Sequence, residues 1–209
     1  MKHKARRSAI KRSARLVDVS NLVTAAIVVL SISTAWSCNH SDTQGLAQNN
    51  CLTDVNLVDQ NGNSVSLAAL KGKPMLVDFI YTSCPGPCLM ETAKFANVAL
   101  RLGPDLGSKV TLVSISVDPE HDGPKQLRDY VNQQGADAKG WYFLTGSPAD
   151  VDRALAGFKI IREKEPDGSV GHIVSMVLVN GDGAKVHEYS GEVVKAQTLT
   201  TDLLNFSNG

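Results

Sequence analysis

The chain has no second closely spaced cysteine pair and no His-x-x-x-His. That absence argues against a structural zinc site, which normally takes four nitrogen or sulfur ligands. It also lacks any overall charge imbalance, with 21 basic and 21 acidic residues among 209. The neutrality hides an asymmetry, because residues 1–20 hold seven of the Lys and Arg and only Asp18 among the acids. The remainder carries 14 basic against 20 acidic residues, a net of −6. A domain of that sign is not a nucleic-acid binder, since affinity for phosphate backbones comes from Lys and Arg. Internal repeats and low-complexity segments are absent too, and the length suits one ordinary core plus a tail. The N-terminal apolar run, Leu22–Trp36, falls short of the roughly 20 residues that a membrane span takes.

That run has the surroundings of an export signal. A basic stretch, Lys2 to Arg15, precedes it, and Ser37-Cys38 follows. Ala35-Trp36-Ser37-Cys38 resembles a bacterial lipobox, with lipidation at Cys38, and Arg6-Arg7-Ser8-Ala9-Ile10-Lys11 resembles a twin-arginine signal without its usual Phe. Residues 1–37 are therefore expected to be an export signal or signal anchor. Residues 38–50, polar and without period, form a tether, and residues 51–209 form the working domain. This layout predicts a protein of the cell envelope, attached to the inner membrane on its periplasmic side through the N-terminal segment or a lipid. In that compartment thiols oxidise unless a partner reduces them or a metal holds them. No role is assigned to Cys51.

Chemistry concentrates in Cys84-Pro85-Gly86-Pro87-Cys88, which follows an apolar run, Met75–Tyr81, that reads as a buried strand. Pro85 and Pro87 disfavour helix, whereas Leu89–Leu102, with apolar residues at 89, 95, 98 and 102, has the helical period. The helix thus starts near Cys88, and unpaired amides at its N-terminus are expected to lower the thiol pKa. The Pro-Gly-Pro spacer is expected to expose both sulfurs. Three intervening residues close a disulfide or grip one ion, so the pair is a redox couple or two metal ligands. Spacing alone does not decide.

Along the domain, Val55 and Leu57, Asn61-Gly62, then Val65 and Leu67 predict a β-hairpin with a two-residue turn. Val110–Val117 reads as a strand, Lys125–Gln134 as a helix and Trp141–Leu144 as a short strand. Ser147-Pro148-Ala149-Asp150 caps a helix reaching about Phe158. Ile173–Val179 and Lys185–Tyr189 form a second hairpin, and a last helix runs from about Val194 to Phe206. The order predicts an α/β, thioredoxin-like fold with an N-terminal β-hairpin and a mixed central sheet flanked by helices. Its thiols lie at the carboxyl end of a central strand, where open α/β sheets bind ligands.

Of five histidines, His3 lies in the signal and His40 in the tether. His187 points outward on a strand, and His121 is a polar loop residue of Asp118-Pro119-Glu120-His121-Asp122. His172 differs, standing between Gly171 and an apolar strand at a junction where an imidazole could face the thiol turn.

Six landmarks then occur in one order: Leu57-Val58-Asp59-Gln60-Asn61-Gly62; Gly72-Lys73-Pro74; Phe79–Cys88; Ser116–Asp122; Leu144-Thr145-Gly146-Ser147; and Gly171-His172 before a strand ending in Asn180–Gly183. Over about residues 51–190 the chain resembles the Sco/SenC family of thioredoxin-like copper proteins. The resemblance implies that Cys84, Cys88 and His172 bind copper. Two soft thiolates suit Cu(I), and an added imidazole also accommodates Cu(II). Gly171 and Ile173 stand where the family usually has Asp and Ser or Thr, which bears on affinity and partner choice. The implied function is that of a copper chaperone, not an enzyme, for the copper-bearing subunit of cytochrome c oxidase, with a thioredoxin-like reductant as further partner. The alternative is a thiol–disulfide oxidoreductase using Cys84 and Cys88 alone on the oxidase subunit or other exported proteins. A peroxidase of peroxiredoxin type would need a Thr and an Arg beside its cysteine, and only Thr82 presents itself.

Overall fold

The structure, a computed structural model, describes residues 50–166, 169–172 and 174–207. The expected export segment, residues 1–37, and nearly all of the expected tether lie outside them. Within them, no helix is long and apolar enough to cross a membrane.

Strand β1 (Asn56–Asp59) pairs antiparallel with β2 (Ser64–Ser66). Their turn is one residue longer than the expected two, because the Asp59 amide donates to the Asn63 carbonyl at 2.9 Å and encloses Gln60, Asn61 and Gly62. Gly62 takes the positive φ of 83° that a three-residue hairpin needs. Asp59 holds the turn by accepting from the amides of Asn61 and Asn63, both at 2.8 Å. Next come β3 (Met75–Ile80), helix α1 (Pro87–Leu102) and β4 (Thr111–Ser116). Helix α2 (Pro124–Gln134), β5 (Trp141–Thr145) and helix α3 (Pro148–Phe158) follow. Ser147 caps α3 as its sequence predicts, its hydroxyl oxygen accepting from the Asp150 amide. Two short strands, β6 (Arg162–Lys164) and β7 (Val170–His172), form a separate antiparallel hairpin. The chain closes with β8 (Ser175–Val179), β9 (Lys185–Ser190) and helix α4 (Ala196–Ser207).

The central sheet runs β2-β1-β5-β4-β3-β8-β9. Its middle strands β5, β4 and β3 are parallel, and each flank is an antiparallel hairpin. Every residue of β3, β4 and β8 is buried, as strands covered on both faces must be. Phe79 packs against Phe158 of α3 with ring centroids 5.5 Å apart. On the opposite face Phe95 of α1 meets Trp141 at 5.8 Å, and Tyr130 of α2 meets Phe143 at 6.2 Å. Alternation along β3 sends Asp78 to that second face, beneath α1 and α2, beside its register neighbour Ser114. The thiol turn is thereby held at the carboxyl end of a strand with neighbours on both sides.

Candidate metal centre

Strand β3 ends at Ile80, and a tight turn follows in which the Cys84 amide donates to the Tyr81 carbonyl at 3.2 Å. Asp122, in the loop after β4, ties this turn down. Its carboxylate accepts from the Thr82 amide at 3.0 Å, the Thr82 hydroxyl at 2.5 Å and the Ser116 hydroxyl at 2.7 Å. Helix α1 then starts with Pro87 in its first turn and Gly86 at its N-cap, a residue without a capping side chain. The Cys84 sulfur takes that place, accepting from the Cys88 amide at 3.4 Å.

No disulfide joins the two cysteines. Neither is exposed as the Pro-Gly-Pro spacer predicts: Cys84 is 7% and Cys88 1% accessible. The two prolines of the spacer are themselves exposed, while both sulfurs lie inside. The expected lowering of the thiol pKa at the helix terminus also fails for Cys88. Its thiol is pushed up, first by burial and next by the neighbouring Cys84 side chain. Desolvation outweighs the helix dipole there.

Two carboxyls lie in the same region. Asp78, wholly buried, is pushed up to about 7 by burial. Glu91, one turn beyond Cys88 and 2% exposed, is pushed up to about 9 by burial and then by Asp78. Glu91 has no hydrogen-bond partner among the described residues, and at Asp78 burial outweighs the Ser114 hydroxyl, which pulls the other way. Gly191 closes over Glu91 so tightly that a Cβ there would sit 2.2 Å from Glu91 Oε1. Tyr130 completes the buried polar group: its hydroxyl lies 2.7 Å from Thr92 Oγ1 and donates to the Cys88 carbonyl at 3.4 Å.

His172 ends β7, a strand that its loop-like sequence does not announce. Its ring reaches the thiol turn, with centroids 6.1 Å from those of Tyr81 in an edge-on arrangement. Its Nε2 lies 3.0 Å from the Phe79 carbonyl, to which it donates. Tyr81 in turn has its phenol pushed up to about 12 by burial and then by Cys84. The three predicted ligands therefore surround one turn without converging: among the described residues no three His, Cys, Asp or Glu side chains stand close enough to hold a metal ion between them. His121 caps its own loop, Nδ1 lying 2.9 and 2.8 Å from the Asp118 oxygens, and His187 is exposed beside Tyr189. Cys51 is buried at the start of the domain, away from the turn's sequence, its amide donating to the Gly183 carbonyl.

A family model described as SCO1/SenC matches residues 43–207. The chain belongs to the SCO1/SenC family. It is 38% identical over 136 residues to the SCO1 protein homolog of Bacillus subtilis, spanning 64% of this chain and 70% of that one. Among solved structures it resembles copper-bound ScoI of Bradyrhizobium japonicum, at 29% identity and a TM-score of 0.64, covering 73% of this chain and 96% of that chain. It also resembles BsSco, described as a member of the Sco family of cytochrome c oxidase assembly proteins with a disulfide switch. There the identity is 34% and the TM-score 0.66, over 77% of this chain and 95% of that chain. The thioredoxin-like fold expected from the element order is thus that of the SCO1/SenC proteins.

Several residues that shape this SCO1/SenC site escape a reading of the sequence. Asp78 is the one charge inside the run Met75–Tyr81, and that interruption was its signal. Glu91 falls on the buried stripe of α1 with Cys88, Phe95, Val98 and Leu102, while Leu89, an expected core position, is 38% exposed. Thr82 has its hydroxyl engaged by Asp122, which removes it from a peroxidase role.

Proposed function

We infer that the protein is an exported, membrane-tethered copper chaperone whose cargo is held by Cys84, Cys88 and His172 and passed to the copper-bearing subunit of cytochrome c oxidase. The observation that carries this reading is a pair of cysteines with no disulfide between them at the start of α1, in a SCO1/SenC chain with a copper-bound structural relative. Two thiolates and an imidazole are a donor set suited to both Cu(I) and Cu(II). Burial of the sulfurs supports a store that protects its ion from water, and raised thiol basicity supports strong binding once the protons leave. The ring nitrogens of His172 face only backbone carbonyls, Phe79 at 3.0 Å and Val170 at 3.4 Å, contacts that the imidazole can exchange for the ion.

Copper titration of the reduced full-length protein tests the assignment. It should retain one equivalent after desalting, and Cys84→Ser or Cys88→Ser should abolish tight binding. One equivalent retained by the double serine variant would remove the thiols from the site.

A thiol–disulfide oxidoreductase is the second reading. It is favoured by the engagement of His172 with the Phe79 carbonyl rather than the sulfurs. His172→Ala separates the two: a chaperone loses Cu(II) binding and oxidase assembly, whereas an exchanger keeps its reaction with a model disulfide and its effect in cells.

A further inference from the structure

The hairpin that carries His172 belongs to a sheet of its own and shares no ladder with the central sheet. Side chains must therefore hold it in place. In its register Arg162 stands directly opposite His172, so the two project from the same face. Each grips the end of a different central strand. The Arg162 Nη1 donates to the carbonyl of Val117, just beyond β4, at 3.2 Å, and His172 donates to the carbonyl of Phe79 in β3 at 3.0 Å. Val117 is itself bonded to the end of β3 through its amide, 2.8 Å from the Ile80 carbonyl.

The two anchors differ in kind. Arg162, its side chain only 11% exposed, also donates through Nε to Asp152 at 2.7 Å, and through Nη1 and Nη2 to the two oxygens of Glu120 at 2.8 and 3.3 Å. The fork holds the Glu120 carboxyl down at about 2, so the pair stays ionised across the neutral range. Lys164 adds a contact to Glu120 at 3.1 Å. One guanidinium thus joins the hairpin to α3, to the loop after β4 and to a strand end. His172 has only carbonyls beside its ring, Phe79 at 3.0 Å from Nε2 and, within its own strand, Val170 at 3.4 Å from Nδ1, and the tie to β3 must break when Nε2 takes an ion.

We propose that Arg162 is the positioning residue for His172: it keeps the hairpin seated over the ends of β3 and β4 while the imidazole changes partner from the Phe79 carbonyl to the cargo. This rests on the reading of Cys84, Cys88 and His172 as copper ligands. Without the guanidinium, each binding event has to order the hairpin as well as move one side chain, and that entropy comes out of the affinity. The deficit falls on the oxidation state that depends on the imidazole. Cu(I), satisfied by two thiolates, is spared.

The test uses reduced full-length protein with Cu(I) and Cu(II) added separately, comparing wild type, His172→Ala and Arg162→Met, the last retaining the aliphatic stem. Arg162→Met should weaken Cu(II) binding by about tenfold, the scale on which residues supporting a ligand act. Its Cu(II)–thiolate absorption should move toward that of His172→Ala, with Cu(I) affinity unchanged. A generally destabilised domain would not separate the two ions in this way. If His172→Ala loses Cu(II) while Arg162→Met matches wild type in affinity and spectrum, Arg162 has no positioning role and the ligand assignment stands. If His172→Ala itself matches wild type, the ligand assignment fails and the role of Arg162 falls with it. Should Arg162→Met not fold, Glu120→Gln with Asp152→Asn removes the acids and keeps the guanidinium. Weakened Cu(II) binding in that variant supports the proposal, and wild-type binding overturns it.

Discussion

A carboxyl group sealed from water without donors enough to replace its hydration stays protonated, because ionising it there costs more than the proton is worth. Asp78 and Glu91 are two such groups, held up at about 7 and about 9. Their effect on stability runs opposite to that of a surface carboxylate. In the unfolded chain both ionise near pH 4, whereas the folded chain keeps their protons, so folding is favoured least where only the unfolded state has let them go. The contribution of these groups should therefore fall as pH rises from about 4 through 7 for Asp78, and on toward 9 for Glu91. Denaturant midpoints at pH 5 and pH 8 check this: wild type should be less stable at pH 8, and Glu91→Gln should remove most of the difference. Equal pH dependence in the two proteins would show that Glu91 ionises freely in the fold. Glu120, held down at about 2, titrates below this window and does not disturb it.

Elements meet at two points where one substitution is diagnostic. Helix α3 packs against the start of the domain at Gly157, where an added Cβ would lie 2.3 Å from the Cys51 carbonyl and 2.9 Å from Thr53 Cγ2. Alanine gains about 1 kcal/mol of helix propensity, but overpacking against a carbonyl costs about 1–3 kcal/mol, and the contact is backbone. Gly157→Ala should thus lower the melting temperature despite the better helix former. The loop after β4 meets the thiol turn at Asp122, and Asp122→Ala strands three donors, at about 2–4 kcal/mol by denaturant unfolding. Most elements were legible from period and punctuation. Ser147-Pro148 capped α3 where expected, and Asn180–Gly183 turned the last hairpin. The β6–β7 hairpin was not, because Arg162-Glu163-Lys164 and Val170-Gly171-His172 are too short and too polar to show a strand period. Arg162 and His172 tie it to the strand ends, tertiary contacts with no local signature.

For the whole molecule, the basic N-terminus, Leu22–Trp36 and Cys38 predict a domain outside the cytoplasm and bound to membrane. Fractionation of wild type and Cys38→Ala reads this directly. Release of a soluble mature form by the substitution indicates a lipid anchor, and a membrane-bound protein of full-length mass indicates an uncleaved segment. Landmarks in order nominate the three candidate ligands, but their burial and separation have no signal in the sequence, since both depend on tertiary packing around the turn. One consequence reaches across these scales. The Cys84 sulfur caps α1, lending its lone pair to the Cys88 amide where Gly86 offers no side chain. On the proposed assignment of Cys84 as a ligand, cargo that draws on that sulfur withdraws electron density from the cap, so by thermodynamic linkage the fraying of the first helical turn and the grip on the ion are two faces of one equilibrium. A stiffer cap makes a more stable empty carrier and a poorer acceptor, and the uncapped glycine beside the thiols sets where this chain stands between them.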